Sequence, residues 1–87
     1  MVYVDDMEAG FGRMIMCHML PSSRSDSDIE ELHRMAGRIG IVRKWFQDKR
    51  IPHYDICKSK RVLAVNAGAI EIKYGGRRFR EILKECS

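Results

Sequence analysis

Lys58-Ser59-Lys60-Arg61-Val62-Leu63-Ala64-Val65-Asn66-Ala67-Gly68-Ala69-Ile70-Glu71-Ile72 holds the reading that decides the fold. Up to Ala67 it reads as a helix, with Val62, Leu63 and Val65 apolar and no Pro or Gly inside. Gly68 stops it, because glycine enters the left-handed conformation that closes a helix end. Ala69 to Ile72 then reads as a short strand. A helix followed at once by a strand is the second half of a β-α-β unit, whose strands run parallel. The expectation is an α/β chain.

Outward from this stretch the pattern continues. Gly75-Gly76 is a break, and Arg77 to Cys86 reads as a last helix with Phe79, Ile82 and Leu83 on its inner side. Upstream, residues 48–52 turn and Pro52 closes them. Residues 41–47 fit either a helical face of Ile41, Val42, Trp45 and Phe46 or a short strand. Ser27 and Glu30 form a capping box for a helix over 28–39, whose inner face is Ile29, Leu32, Met35, Ala36 and Ile39. Arg13 to Leu20 reads as a buried strand with His18 its one polar residue after Arg13. Gly10 and Gly12 make residues 7–12 a loop, and Val2-Tyr3-Val4 is a short strand. The sum is a small single α/β domain, 1–87, with a three- or four-stranded partly parallel sheet covered by about three helices. Ligands on such sheets collect beyond the carboxyl ends of strands, where Asp5 and Asp6 lie.

Composition narrows the classes. The 87 residues carry 16 Lys and Arg against 12 Asp and Glu, a net charge of +4. That mild excess favours anionic partners. It is unevenly spread, since residues 34–61 are basic and residues 1–31 acidic. Apolar runs are too short to cross a bilayer, so no membrane partner is expected. Cys17, Cys57 and Cys86 have no C-x-x-C spacing. Free thiols and the lack of a signal-like start point to the cytoplasm. A chain this small has little core, and homo-oligomers are one way to add stability.

The chemistry concentrates in Pro52-His53-Tyr54-Asp55-Ile56-Cys57-Lys58-Ser59-Lys60-Arg61. Its first half reads as a loop before a helix. Backbone N–H groups at a helix start are unpaired and favour negative charge. Lys58 and Arg61 are three apart and share a face, so with Ser59 they form a candidate phosphate site. Asp55 would orient a neighbour or a ribose hydroxyl. Tyr54 or Trp45 would stack on a base, and His18 or His53 would line the pocket. Asp5, His18, His53 and Asp55 offer a second constellation. Carboxylates with imidazoles suit a divalent metal, but the spacing matches no metal motif. The expected catalytic, metal and cofactor sets are therefore empty. Arg43 to Arg50, basic residues around Trp45 and Phe46, leave nucleic acid open as a partner.

Tyr3-Val4-Asp5-Asp6, Cys17-His18-Met19, His53-Tyr54-Asp55 and Ser59-Lys60-Arg61 stand in order along the chain. In this the sequence resembles a family of short phage and bacterial proteins with a YVD motif, known as a domain of unknown function. A longer Ser/Asp loop at 21–28 is its departure from that pattern. The resemblance implies a phage origin and no chemistry. By analogy with phage proteins that disarm host defence, the expectation is a non-enzyme that binds and sequesters a phosphorylated small molecule, a nucleotide or ADP-ribose-like signal. The host cytoplasm would be its setting. The alternatives are a metal-dependent phosphoesterase or nuclease using Asp5, His18 and His53, and a module that binds nucleic acid or a host protein.

Overall fold

The most continuous apolar run of the chain becomes the strand on which the sheet is built. The computed structural model describes residues 1–87. In chain order the elements are β1 (Val2–Val4), β2 (Ala9–Phe11), β3 (Met14–Pro21), α1 (Asp26–Arg38), a 3-10 turn (Arg43–Trp45), β4 (Tyr54–Cys57), α2 (Lys58–Asn66), β5 (Ile70–Glu71) and α3 (Arg77–Cys86). The sheet is α/β in class, five-stranded and mixed. Met19 pairs with both Val4 and Tyr54, and Met16 with both Ala9 and Cys57. So β1 and β2 share one edge of β3, and β4 takes the other. β5 extends the sheet beyond β1 in the one parallel pair. β4 and β5 run the same way two strands apart, and α2 is the crossover between them.

Side chains alternate across a strand, so this register sorts residues onto two faces. Val2, Val4, Cys17, Met19, Tyr54 and Ile56 pack on the first face with Leu32, Ala36 and Ile39 and with Ala64 of α2. Tyr3 and Leu20 lie on the second face against Ile51, Ile82 and Cys86. Two helices cover the first face. Only α3 covers the second, over the half nearest β1 and the carboxyl end of β3.

Several local readings are corrected. Residues 9–11 are a strand, not a loop, because Gly12 (φ 61) and Arg13 form a two-residue turn that folds them onto β3. The stretch before α2 is also a strand, β4. The cap of α1 is Ser25, two residues earlier than Ser27, and its side chain accepts from Asp28 N at 3.2 Å. The Ser23 hydroxyl donates to Asp28 Oδ2 at 2.6 Å and lowers the pKa of that carboxyl, which fixes the loop before the helix. Residues 41–47 contribute a 3-10 turn with Val42 and Trp45 exposed. Val62 and Leu63 are exposed too, and Ala64 is the buried residue of α2.

On the first face His33 Nδ1 and the Tyr54 hydroxyl are 2.6 Å apart, with Phe46 edge-on to the imidazole at 4.7 Å. Burial lowers the His33 pKa, the Arg43 charge lowers it further, and Glu30 opposes both. The folded state therefore favours the neutral ring. Below the unfolded value near 6.5, the unfolded chain binds the extra proton and stability falls. Melting temperature should thus drop more steeply between about pH 7 and about pH 5 in the wild type than in His33→Gln. Equal slopes in thermal melts would refute this.

Candidate metal centre

Where α3 leaves the second face open, the register lines up a row of polar side chains. Asp5 N donates to the His18 carbonyl at 3.0 Å, one step beyond the Val4–Met19 pair, and His18 pairs with Asp55 across β3 and β4. Asp5, His18 and Asp55 thus stand side by side on three adjacent strands. His53 shares the parity of Asp55, and a bridge to Gln47 holds its backbone against the sheet.

Asp5 is 0% exposed, yet its carboxylate is fully partnered. Oδ1 accepts from His18 N at 2.8 Å and from Met7 N at 3.2 Å. Oδ2 is 2.7 Å from His18 Nδ1. An ionised carboxylate only accepts, so Nδ1 carries the hydrogen. His53 Nδ1 lies 2.7 Å from the Ile51 carbonyl, and the same reasoning puts a hydrogen there. Nε2 is then the ring atom of each histidine that is left to face the cluster. Both Nε2 atoms converge on Asp55 Oδ1, from His18 at 3.8 Å and from His53 at 3.5 Å. The three ligand atoms lie within 4.8 Å of one another.

A carboxylate oxygen and two imidazole nitrogens that face one point are joined by a proton or by a cation. Ligands about 2.0–2.1 Å from a tetrahedral zinc stand about 3.3–3.4 Å apart. The two contacts to Asp55 Oδ1, at 3.5 and 3.8 Å, reach that by a few tenths of an ångström, while the two imidazole nitrogens, within 4.8 Å of each other, must close by up to about 1.5 Å. Asp5 on Nδ1 of a ligating histidine, and a carbonyl on the other, is the arrangement that orients imidazoles at metal sites. The side chains of His18 and His53 are 17% and 12% exposed and that of Asp55 is 38% exposed, so the cluster opens to solvent on the Asp55 side. Gln47 Nε2 donates to Asp55 Oδ2 at 2.6 Å and aims the other oxygen inward. Tyr74 and Phe79 wall the far side, with ring centroids 5.7 Å and 6.4 Å from His18.

The other expected site residues are placed elsewhere. Lys58 and Arg61 line a cleft of about 670 Å³ at the carboxyl ends of β1, β4 and β5. Asp6, Glu8, Glu71 and Lys73 line it too, so its charges balance. Lys58 pairs with Glu8 at 2.5 Å, which raises its pKa. Arg61 donates from Nε to the Asp5 carbonyl at 2.8 Å and from its terminal nitrogen to Glu71 at 2.9 Å. Ser59 contacts the Cys57 sulfur at 3.2 Å. That contact, with the backbone of Lys60 and Ser59, lowers the Cys57 pKa. Tyr54 is fully buried and its hydroxyl meets His33, so it is not available to stack on a ligand. Trp45 is 63% exposed and lines a separate trough beside Asp55.

A family model described as Protein of unknown function (DUF4031) matches residues 2–85. The chain belongs to the DUF4031 family. No curated protein and no solved structure matches it. Gln47, Tyr74 and Phe79 carry no motif that singles them out in the sequence. Gln47 and His53 do flank the turn closed by Pro52, a spacing consistent with the bridge they form.

Asp5 ties β1 to β3 as well as orienting His18. Asp5→Ala leaves the His18 and Met7 amides without their buried acceptor and should cost about 2–6 kcal/mol, since each buried unpaired donor costs about 1–3 kcal/mol. Asp5→Asn retains one acceptor oxygen and should lose less. Urea titration tests the order, and an Asp5→Ala midpoint equal to that of the wild type would contradict it.

Proposed function

We propose that this domain is a metal-dependent phosphoesterase. His18, His53 and Asp55 hold one divalent transition metal ion, and Asp5 fixes the tautomer of His18. The observation that supports this is the convergence of two imidazole nitrogens and a carboxylate oxygen on one solvent-facing point. Two nitrogens and one oxygen suit zinc, or iron and its neighbours, better than calcium or magnesium, which prefer all-oxygen sets. Three protein ligands leave a position for water, as in catalytic zinc sites. A bound cation lowers the pKa of that water and polarises an ester oxygen. Held by His18, His53 and Asp55, the ion would supply an activated water for attack at phosphorus, the ester P–O bond breaking and a water proton passing to the departing alkoxide. The net charge of +4 favours an anionic ester as substrate.

We prefer this reading to a phosphate site at the start of α2, where Lys58 and Arg61 meet Glu8 and Glu71. The test is calorimetric titration of chelator-stripped protein with Zn²⁺, followed by assay with bis(p-nitrophenyl) phosphate. One ion should bind per chain. The pair His18→Ala and His53→Ala should abolish it, and Asp5→Asn should weaken it by about 10- to 100-fold. Release of p-nitrophenol should require the metal. Zn²⁺ affinity unchanged in the double variant would overturn the site. Tight metal binding with no turnover of phosphoesters, or a nucleotide bound and returned intact, would replace hydrolysis with sequestration.

A further inference from the structure

We propose that the open half of the sheet's second face holds the nucleobase of the ester cleaved at the metal centre. This inference rests on the metal-dependent reading above and names its substrate class as nucleoside phosphates. The surface in question is a trough of about 490 Å³, within the range of about 300–1,000 Å³ usual for small-molecule sites. Its floor follows from register. Phe11 pairs with Met14, and Ala9 with Met16, placing these residues on the face that carries His18 and Asp55. Trp45 forms the opposite wall.

The apolar lining is exposed where a buried role would hide it: Phe11 is 70% exposed and Trp45 63%. Two aromatic rings and polarizable methionines offer flat and soft contacts to a π-face. The polar members, Gln47, Asp55 and Lys60, come from the β4 side. Gln47 donates to Asp55 and so keeps its side-chain oxygen as an acceptor for a base N–H, such as the exocyclic amino group of adenine. Lys60 Nζ already donates to the Ile39 carbonyl at 2.8 Å, so the Gln47 oxygen is the polar atom an acyl chain would desolvate without a partner. A nitrogen heterocycle satisfies it at its edge while its faces meet the apolar floor. Asp55 belongs to both places, since it lines the trough and points Oδ1 at the two imidazoles. A base lying in the trough therefore carries its sugar and phosphate past Asp55 toward the metal ligands.

Trp45 is the single tryptophan of the chain, so its emission reports on the trough directly. Adenosine 5′-monophosphate should quench it saturably, with and without bound Zn²⁺, and ribose 5-phosphate should not. Phe11→Ala, at an exposed position that the fold does not need, should weaken the nucleotide by about 5- to 150-fold, the range expected for one stacking contact. Its Zn²⁺ affinity should equal that of the wild type. Zn²⁺ binding without quenching by the nucleotide, or equal quenching by ribose 5-phosphate, overturns the trough and leaves the metal centre standing. Quenching by the nucleotide without any Zn²⁺ binding overturns the metal-dependent reading instead. A dimer in sedimentation that Phe11→Ala dissociates would give the trough to a second copy of the chain and also overturn the proposal.

Discussion

A single buried carboxylate joins the fold to the site. Asp5 sits where β1 ends, and its side chain accepts the amides of His18 and Met7 together with the His18 ring. Its carbonyl accepts Arg61 of α2. A charge removed from water is costly unless hydrogen bonds replace its hydration, and here three do. Those bonds also end β1 and open the excursion through residues 5–8, in which Glu8 takes a left-handed conformation (φ 54) before β2 resumes on the same edge of β3. The polar row exists because β1 breaks at this residue.

The site follows from a shortage of cover. The first face is closed by α1 and α2 around Leu32, Ala36, Ala64 and the inner residues of β3 and β4. On the second face α3 closes over Tyr3 and Leu20, and beyond it only the segment of Trp45 and Gln47 comes beside Met16, Phe11 and Asp55, which leaves a trough. A chain of 87 residues has a high ratio of surface to volume, so an uncovered half-sheet is a natural result of its size. Polar residues that line such an edge stay partly hydrated, and ligand chemistry can reach them.

Electrostatics divides the molecule the same way. The cations that cluster in sequence near α2 are taken up by acids from distant segments, Lys58 by Glu8 and Arg61 by Glu71. The exposed Lys58–Glu8 pair adds little stability. Its larger effect is to neutralise the α2 terminus and balance the charge of the cleft there. At the cluster of His18, His53 and Asp55 the one carboxylate faces two imidazoles and no Lys or Arg, so its charge is not balanced in the same way.

The sequence by itself determined the α/β class and helices over 58–67 and 77–86, which the structure has at 58–66 and 77–86, and it put Asp5, His18, His53 and Asp55 forward together while matching them to no metal motif. These are local matters of periodicity, caps and side-chain chemistry. The tertiary structure decided which of them meet. Tyr54 and Asp55 are neighbours in sequence, but as residues of a strand they point to opposite faces, so one enters the core and the other the site. The partners of Lys58 and Arg61 lie tens of residues away or in the adjoining strand. Strand register brings Asp5, His18 and Asp55 into one row, and a slip of one residue would scatter them. Register depends on the burial of a whole face at once, which no local pattern contains.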